Sequence, residues 1–311
     1  MTTTSPTAAP APSTGRGRSL DVTWQGLAYL AAVYVVWGST YLAIRVAVRD
    51  GSGFPPMTMA SMRAILAGTI LLGITALLGA RIRPTRGEFG VLAISGILLW
   101  VGGNGLVAWA EQRADSGYAA VVVGSTPIWV AMLEASLDRR RPSMNLLWSL
   151  GLGLGGVGLL SVPAWEHGSS LDLPTMLALL GASLTWASGS LLQRRRPVSL
   201  GPWVSSAYQL ILGGLGFLPL IVLLHEPLPR PTPEAWLAWG YLVTFGSLIG
   251  FSSYIQVLHR LPTRIAMTYS YVNPVIAVLL GWVLLREPLT PWTLGGVALV
   301  LLGVAGVYRS R

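Results

Sequence analysis

The sequence contains no cysteine and no lysine among its 311 residues. Without cysteine the chain has no disulfide, no thiolate nucleophile and no cysteine-ligated metal. Without lysine it has no P-loop of the form GxxxxGK[ST] for binding ATP. The histidines, His167, His225 and His259, are far apart in the sequence and indicate neither a metal site nor an acid–base pair. We therefore expect no metal, no cofactor and no catalytic residues, and we disfavour an enzyme.

Charged residues are also scarce. Only 11% of the residues are charged and 52% are hydrophobic, whereas about a quarter of the residues in a soluble domain are charged. This composition predicts a membrane protein. The net charge of +9 comes from arginines that lie in short clusters between apolar runs, so the membrane explains it better than nucleic acid does. Residues 1–22, rich in Thr, Pro, Ala and Ser, predict a disordered cytoplasmic tail.

Apolar runs near the length of a membrane-spanning helix recur ten times. The predicted spans are residues 25–46, 56–79, 88–110, 116–137, 144–163, 174–192, 202–224, 235–258, 265–285 and 291–308. Prolines often mark their ends, and tryptophans gather there, as in an interfacial belt. If the N-terminus lies inside, most of the arginines between the spans also fall on the inner side. The sequence therefore predicts a multi-pass protein of the bacterial inner (cell) membrane with both termini cytoplasmic.

The second half of the chain repeats features of the first half in the same order. Trp186 follows Trp37 by 149 residues, and Arg194 follows Arg45 by 149 residues. Further matched pairs are Pro56 with Pro202, Arg63 with Gln209, STP at 125–127 with VNP at 272–274, and RRP at 140–142 with REP at 286–288. Because each half has an odd number of spans, the second copy enters the membrane from the opposite side. This predicts an all-α membrane protein of two inverted five-helix repeats, residues 23–165 and 172–309, around a central cavity.

Four stretches carry a resemblance to a known family: WGSTYLAIR (37–45), RAILAG (63–68), AWAEQRADSGYAAVVVGSTPIWVAML (108–133) and EPLTPWTLGGVALVLLGV (287–304). Together with the two halves, they resemble the EamA-type transporters of the drug/metabolite transporter superfamily over roughly residues 25–308. The resemblance implies ten helices in two inverted repeats. It places helices 1, 3, 4, 6, 8 and 9 around a cavity, with helices 5 and 10 as buttresses.

The resemblance also implies the export of amino acids or other small metabolites. The sequence departs from the family at 138–142, where it reads DRRRP and the family usually carries a Gly-Glu pair. The second half keeps the acid as Glu287, and we do not expect Asp138 to take over its structural role.

Aromatic residues supply most of the candidate substrate-binding positions. Tyr34, Trp37 and Tyr41 share one face of a helix, and Trp100 and Asn104 share another. Each position either lines a substrate pathway or holds neighbouring helices together, through ring packing or through interhelical hydrogen bonds. The predicted substrate-binding residues are Trp37, Tyr41, Trp100, Asn104, Trp186, Tyr254 and Tyr271.

Three charged residues are candidates for gating or coupling: Arg63, Glu111 and Glu134. An ionisable group at membrane depth is a functional candidate by default. We expect Arg63 and Glu111 near the outer side, where they form either a static ion pair, which is the simpler alternative, or a gate. Glu134 precedes an arginine cluster and either pairs with it at the inner interface or couples transport to protons.

A GxxxG pair at Gly151 and Gly155 predicts close helix packing, either inside one chain or at a dimer face, so that a monomer and a homodimer both stay open. The favoured function is a secondary transporter that exports neutral or aromatic/hydrophobic amino acids by alternating access, as a uniporter or coupled to protons. Purines, sugars and cationic drugs are alternative substrates, and a channel or scramblase is the alternative class. The expected partners are a small-molecule substrate and the lipid bilayer.

Overall fold

The computed structural model describes residues 22–141, 143–160, 162 and 173–309, and all regular secondary structure in those ranges is helical. The long helices are α1 (Trp24–Val48), α2 (Pro56–Leu77), α3 (Arg86–Ala110), α4 (Ser116–Leu137), α5 (Met144–Leu160), α6 (Leu173–Arg195), α7 (Pro202–Leu223), α8 (Pro233–Arg260), α9 (Tyr269–Leu285) and α10 (Pro291–Arg309). The predicted tail up to residue 21, the end of the fifth span and the linker before α6 lie outside the described residues.

Most of these helices have the length and composition of a membrane span. In the described ranges, seven helices, α1–α4 and α6–α8, are long and apolar enough to cross a membrane. The remaining three contain shorter apolar stretches, Leu147–Leu160, Tyr269–Leu285 and Pro291–Gly306. These fall below the roughly 20 residues that a straight span needs. The ten predicted spans therefore coincide with seven full-length candidates and three shorter apolar helices.

Proline and threonine determine where several helices begin. Proline occupies the first position of α2, α7, α8 and α10, where its missing N–H has no helical partner to lose. Before α1, α3 and α8, a threonine hydroxyl accepts a hydrogen bond from the first turn. The threonine and the donor N–H group are Thr23 with Gly26, Thr85 with Glu88, and Thr232 with Ala235.

Several helices are interrupted, among them α3, α4 and α8. α3 is π-helical over Leu98–Gly105, and α8 is π-helical over Leu242–Phe251. The α-helical parts of α4, Ser116–Val123 and Thr126–Leu137, are separated by two residues just before Pro127. Such interruptions change the direction in which side chains point and are frequent at functional sites.

The first half, α1–α5, and the second half, α6–α10, interleave. α2 packs along α7 and α5 packs along α10, so each of these pairs joins one helix from each half. α1 contacts α8 and α9, and in the same way α6 contacts α3 and α4. The contacts that α1 makes with the second half thus have counterparts in the contacts that α6 makes with the first half.

Carboxylates from the second half cap helices of the first half. Glu226 precedes α8 and accepts hydrogen bonds from the first turn of α2, and Glu287 precedes α10 and accepts them from the first turn of α4. The donors are Met57 N (2.9 Å) and Thr58 N (2.8 Å) for Glu226, and Ser116 N (2.9 Å) and Gly117 N (3.2 Å) for Glu287. Both carboxylates satisfy N–H groups that a helix start leaves without partners. Asp138 has a different role, because it forms an exposed ion pair with Arg195 at 2.6 Å.

Glycines bring α5 and α10 into backbone contact. A Cβ atom on Gly156 would lie 2.8 Å from the carbonyl oxygen of Gly296, and one on Gly303 would lie 2.7 Å from a carbonyl oxygen of α5. By contrast, Gly151 and Gly155 have no atom within 4 Å of the corresponding position. The close packing of α5 on α10 therefore depends on other glycines, such as Gly156. The GxxxG pair, Gly151 and Gly155, faces away from α10.

We predict that Gly156→Leu lowers the stability of the purified protein, because the added side chain cannot fit against the backbone of α10. Overpacking of this kind typically costs about 1–3 kcal/mol. The matched control is Gly151→Leu, where the same side chain meets open space and stability should not fall. Thermal unfolding in detergent measures both variants, and equal melting temperatures would contradict the observed packing of α5 on α10.

Candidate functional site

A small buried cavity lies where helices of both halves meet. α1, α2, α3, α4, α6, α8 and α9 all contribute to its wall. These include the six helices that the family resemblance placed around a cavity, with α2 in addition. The lining side chains used below are Trp37, Tyr41, Arg63, Trp100, Asn104, Trp186, Phe251 and Tyr269. The cavity volume is about 60 Å³, which holds only a few water molecules, so little space is left between its aromatic side chains.

Four rings from α1, α6, α8 and α9 form the aromatic cluster, which we define as Trp37, Trp186, Tyr254 and Tyr269. The ring of Trp37 is central, with centroid distances of 5.2 Å to Trp186, 4.9 Å to Tyr254 and 5.6 Å to Tyr269. Trp37 meets Trp186 and Tyr269 edge to face, an arrangement that aromatic rings prefer. The cluster therefore connects both halves of the chain at the cavity.

Glycines in the π-helical stretches make room for the two tryptophans. A Cβ atom on Gly250 of α8 would lie 2.6 Å from the indole nitrogen of Trp37, and one on Gly103 of α3 would lie 2.7 Å from the ring of Trp186. The indole N–H of Trp37 also donates to the carbonyl of Gly246 at 3.2 Å. The matched tryptophans of the two halves are thus seated in the same way, each against a glycine of the interrupted helix in the other half.

Arg63 is the cation of the cavity wall. Its side chain is 3% exposed, and its Nε donates to the Ser247 hydroxyl at 2.8 Å. Its guanidinium carbon lies 5.1 Å from the centre of the Trp100 ring, in the range of a cation–π contact. A further ring contact, 5.4 Å between Trp100 and Phe251, continues the aromatic wall from α3 to α8.

Glu111 lies within electrostatic reach of Arg63 but does not pair with it. Among the described residues, the ion pairs of 4 Å or less join Arg81 to Glu88 and Arg195 to Asp138. Glu111 is fully buried, and neither of its carboxyl oxygens has a hydrogen-bond partner. The static ion pair between Arg63 and Glu111 is therefore absent, since their charged groups approach without direct contact.

Two arginines donate to main-chain carbonyls on either side of the cavity along α1. At the end of α1, Arg45 donates to the main-chain carbonyls of Glu111 (2.6 Å) and Gln112 (2.8 Å), which follow α3. At the end of α6, Arg194 donates to the main-chain carbonyl of Leu261 (2.8 Å), which follows α8. Leu261 packs against Gly26 at the start of α1, so the two contacts lie at opposite ends of α1. We call them the Arg45 closure and the Arg194 closure.

Side-chain hydroxyls reinforce the Arg194 closure. The phenol of Tyr34 in α1 forms a hydrogen bond of 2.5 Å with the Thr268 hydroxyl before α9. The phenol of Tyr254 in α8 forms one of 2.6 Å with the Ser190 hydroxyl in α6. Tyr254 therefore belongs to the aromatic cluster and to the closure behind it, and it contacts the cavity through its neighbours.

The other predicted residues are found in different surroundings. Tyr41 and Asn104 line the cavity, and the Asn104 amide makes only a long contact of 3.4 Å to a carbonyl of its own helix. Glu134 is half-buried near Arg194, with which it interacts electrostatically. Tyr271 is half-buried and packs in an apolar cluster that borders the cavity, without being one of the lining residues. Their roles in binding, gating or coupling stay predictions.

Tyr269 takes the position at the cavity for which Tyr271 was predicted. It is 6% exposed and lines the wall, as does Phe251, which was also not predicted. Tyr269 stands one helical turn before Asn273, which is 3% exposed, so the two share the inward face. That spacing was readable in the sequence and favours Tyr269 over Tyr271. Among the described residues, no group of three His, Asp or Glu side chains is arranged to hold a metal ion.

Comparison with known proteins identifies relatives along nearly the whole chain. The model of the EamA-like transporter family matches twice, over residues 24–162 and 173–309. The "Uncharacterized inner membrane transporter YedA" of Escherichia coli (strain K12) is 34% identical over 285 residues, which cover 90% of each chain. The "S-adenosylmethionine/S-adenosylhomocysteine transporter" of Chlamydia trachomatis serovar L2 is 26% identical, over 89% of this chain and 86% of the relative.

A solved crystal structure, whose description names only a protein, has the same fold. It superposes with a TM-score of 0.63 at 20% sequence identity, over 92% of this chain and 96% of the other. At this identity the likeness concerns the fold alone.

Proposed function

The chain belongs to the EamA-like transporter family, and from that premise we propose that it is a secondary transporter that exports a small metabolite by alternating access. A membrane transporter is what its family and its relatives indicate. The observation that carries the proposal is the aromatic cavity, because both halves of the chain build it and it lies along α1 between the two arginine closures. Its location in the bacterial inner membrane agrees with the relative from Escherichia coli.

Several observations support an inverted repeat of two five-helix halves. The family model matches each half separately. The contact of Trp37 with Gly250 has a counterpart in the contact of Trp186 with Gly103. Likewise, the Arg45 closure in the first half has a counterpart in the Arg194 closure in the second half. Because the two closures lie at opposite ends of the bundle, halves of the same construction face opposite sides of the membrane. With the N-terminus inside, the Arg45 closure faces outward and both termini are cytoplasmic.

Alternating access then follows from the closures. Both closures are formed in this structure, and we take it as the state in which neither has been released. Release of the Arg45 closure opens the cavity outward, and release of the Arg194 closure opens it inward. The cavity is complete within one chain, so transport needs no residue from a second copy.

The chemistry of the wall favours a substrate with a flat or apolar body. Aromatic or branched-chain amino acids are the first candidates, because ring faces bind apolar side chains and also ammonium groups. A second candidate comes from the relative named as an S-adenosylmethionine/S-adenosylhomocysteine transporter. These molecules carry an adenine ring, which the aromatic cluster is suited to stack. Transport is either uniport or coupled to protons, with Glu111 and Glu134 as the candidate carboxylates.

We predict that the protein catalyses counterflow of amino acids and that Trp37→Ala abolishes it. In proteoliposomes preloaded with unlabelled aromatic and branched-chain amino acids, external tracer should accumulate transiently. Loss of the central ring should slow this uptake at least about tenfold, the equivalent of about 1.4 kcal/mol. The matched control is Trp148→Ala, since that tryptophan is 69% exposed on the surface of α5 and should not affect transport.

Any of three results would contradict this assignment. An overshoot that persists in Trp37→Ala would put the pathway elsewhere. If no amino acid gives an overshoot, the same assay with S-adenosylmethionine, purines, sugars and cationic drugs identifies the substrate. Rapid tracer equilibration without any overshoot would indicate a channel or scramblase.

We also predict that the two arginine closures control access from opposite sides. The chain has no native cysteine, so a single Asn104→Cys substitution reports cavity access to a membrane-impermeant maleimide. Arg45→Gln should increase labelling from outside, and Arg194→Gln should increase it from inside. Hydrogen bonds to charged groups contribute about 1.5–3 kcal/mol, so we expect changes of about tenfold or more.

Neighbouring arginines provide controls for the two closures. Arg49 and Arg196 are exposed and contribute to neither closure. Arg49→Gln and Arg196→Gln should leave labelling unchanged on both sides. Equal labelling from one side in Arg45→Gln and Arg194→Gln would show that the closures do not act at opposite ends.

A further inference from the structure

We propose that Arg63 is the anion-binding residue of the cavity and that the transported substrate carries a single carboxylate beside its apolar body. This inference rests on the proposed transport function and specifies the chemical class of its substrate. A guanidinium presents five N–H donors in a planar fork. Arg63 uses its Nε on Ser247, while its side chain lines the cavity with only 3% of its surface exposed.

The charge of Arg63 has no contacting counter-ion among the described residues. The ion pairs of 4 Å or less in that part of the chain are elsewhere. Glu111 attracts Arg63 through space, yet both of its oxygens lack a hydrogen-bond partner. A buried charge is costly unless it is paired and hydrogen-bonded. The site therefore has one cation whose remaining donors face a cavity, which is the arrangement an anionic ligand completes.

Helix packing alone does not require this charge. The matching position in the second half is Gln209 of α7, which is fully buried. Its amide donates to the Ser95 hydroxyl at 2.7 Å and to the Gln193 carbonyl at 3.1 Å. A neutral side chain thus serves at the equivalent place, held by hydrogen bonds to its neighbours. The two halves therefore differ at this position, and the charged residue, Arg63, is the one that lines the cavity where we expect the substrate.

The surroundings of Arg63 keep its guanidinium at the cavity. A Cβ atom on Gly246 would lie 3.0 Å from an Nη atom of Arg63, so a larger residue there would crowd the guanidinium. Trp100 supports its face from the other direction. The guanidinium is thereby held between α3 and α8, beside the aromatic cluster.

The number and type of charges select a carboxylate over other anions. One guanidinium binds one carboxylate through two parallel hydrogen bonds and neutralises it. A phosphate dianion at the same place would keep an uncompensated charge in an apolar wall. A carboxylate on Arg63 leaves the body of the ligand against the rings of Trp37 and Trp186, whose faces also attract an ammonium group. A hydrophobic α-amino acid has these three parts.

The test compares L-phenylalanine with two analogues that lack the carboxylate, L-phenylalaninamide and phenethylamine. Counterflow in proteoliposomes and thermal stabilisation of the purified protein by each compound give independent readouts of transport and binding. In the wild type, we expect both readouts to favour L-phenylalanine at least about tenfold, since a hydrogen bond to a charged group contributes about 1.5–3 kcal/mol.

Arg63→Gln should remove this preference, and the ratio of phenethylamine to L-phenylalanine transport should rise at least about tenfold. A misfolded protein cannot produce such a change of ratio. Arg63→Lys keeps the charge but not the fork, and we expect it to retain part of the preference. The control Arg49→Gln removes an exposed arginine and should behave as the wild type.

The possible results separate this inference from the transport function. Equal overshoots for L-phenylalanine and L-phenylalaninamide in the wild type would overturn the role of Arg63 but not the transport function. A preference for L-phenylalanine that Arg63→Gln leaves unchanged would have the same meaning. The role of Arg63 would also be overturned if the protein transported only compounds that lack a carboxylate. No overshoot for any compound, charged or neutral, would contradict the proposed transport of amino acids and the inference with it.

Discussion

The contact between Trp37 and the glycines of α8 is the interaction on which the site depends. An indole can approach a helix backbone this closely only where no Cβ atom stands in the way, as at Gly250. The N–H of the ring finds a carbonyl acceptor on Gly246, so a polar atom that would be costly to bury is paired. This contact joins α1 of the first half to α8 of the second, and it brings the ring among Trp186 and the tyrosines of α8 and α9. Trp186 repeats the glycine contact against Gly103, but its indole N–H has no hydrogen-bond partner.

The closures repeat in the same way and for an electrostatic reason. A helix C-terminus leaves main-chain carbonyls without intrahelical partners and carries the negative end of the helix dipole. An arginine satisfies such carbonyls at the end of α3 and another at the end of α8. The two closures share the pairing of a guanidinium with main-chain carbonyls, and hydrogen bonds of Tyr34 and Tyr254 add to the Arg194 closure alone. In the proposed transport cycle, a substrate shifts the balance between the open states only through its differential contacts with them.

Much of this arrangement is readable in the sequence, and the exceptions have physical causes. Apolar runs and prolines predict the helix bounds because length and a missing N–H act locally. Spacing also places Trp37, Trp100, Asn104 and Trp186 on faces that do line the cavity. In α9 the prediction named Tyr271, whereas Tyr269, which shares a face with Asn273, lines the cavity, a spacing that the prediction did not use. In the glycine run of α5 the sequence does not show which glycines face a neighbouring helix, and Gly156 rather than Gly151 meets α10.

Features that the two halves share do not explain substrate specificity. Two copies of one packing scheme account for paired helices, paired tryptophans and paired closures, since each is needed once per half. A side chain that appears in one half alone must be explained by something that the halves do not share. Arg63 differs from Gln209 in that way, and a buried charge is the most costly difference a helix bundle in a membrane can carry. Arg63 is therefore the position beside the cavity at which we propose that the difference between the halves serves the substrate.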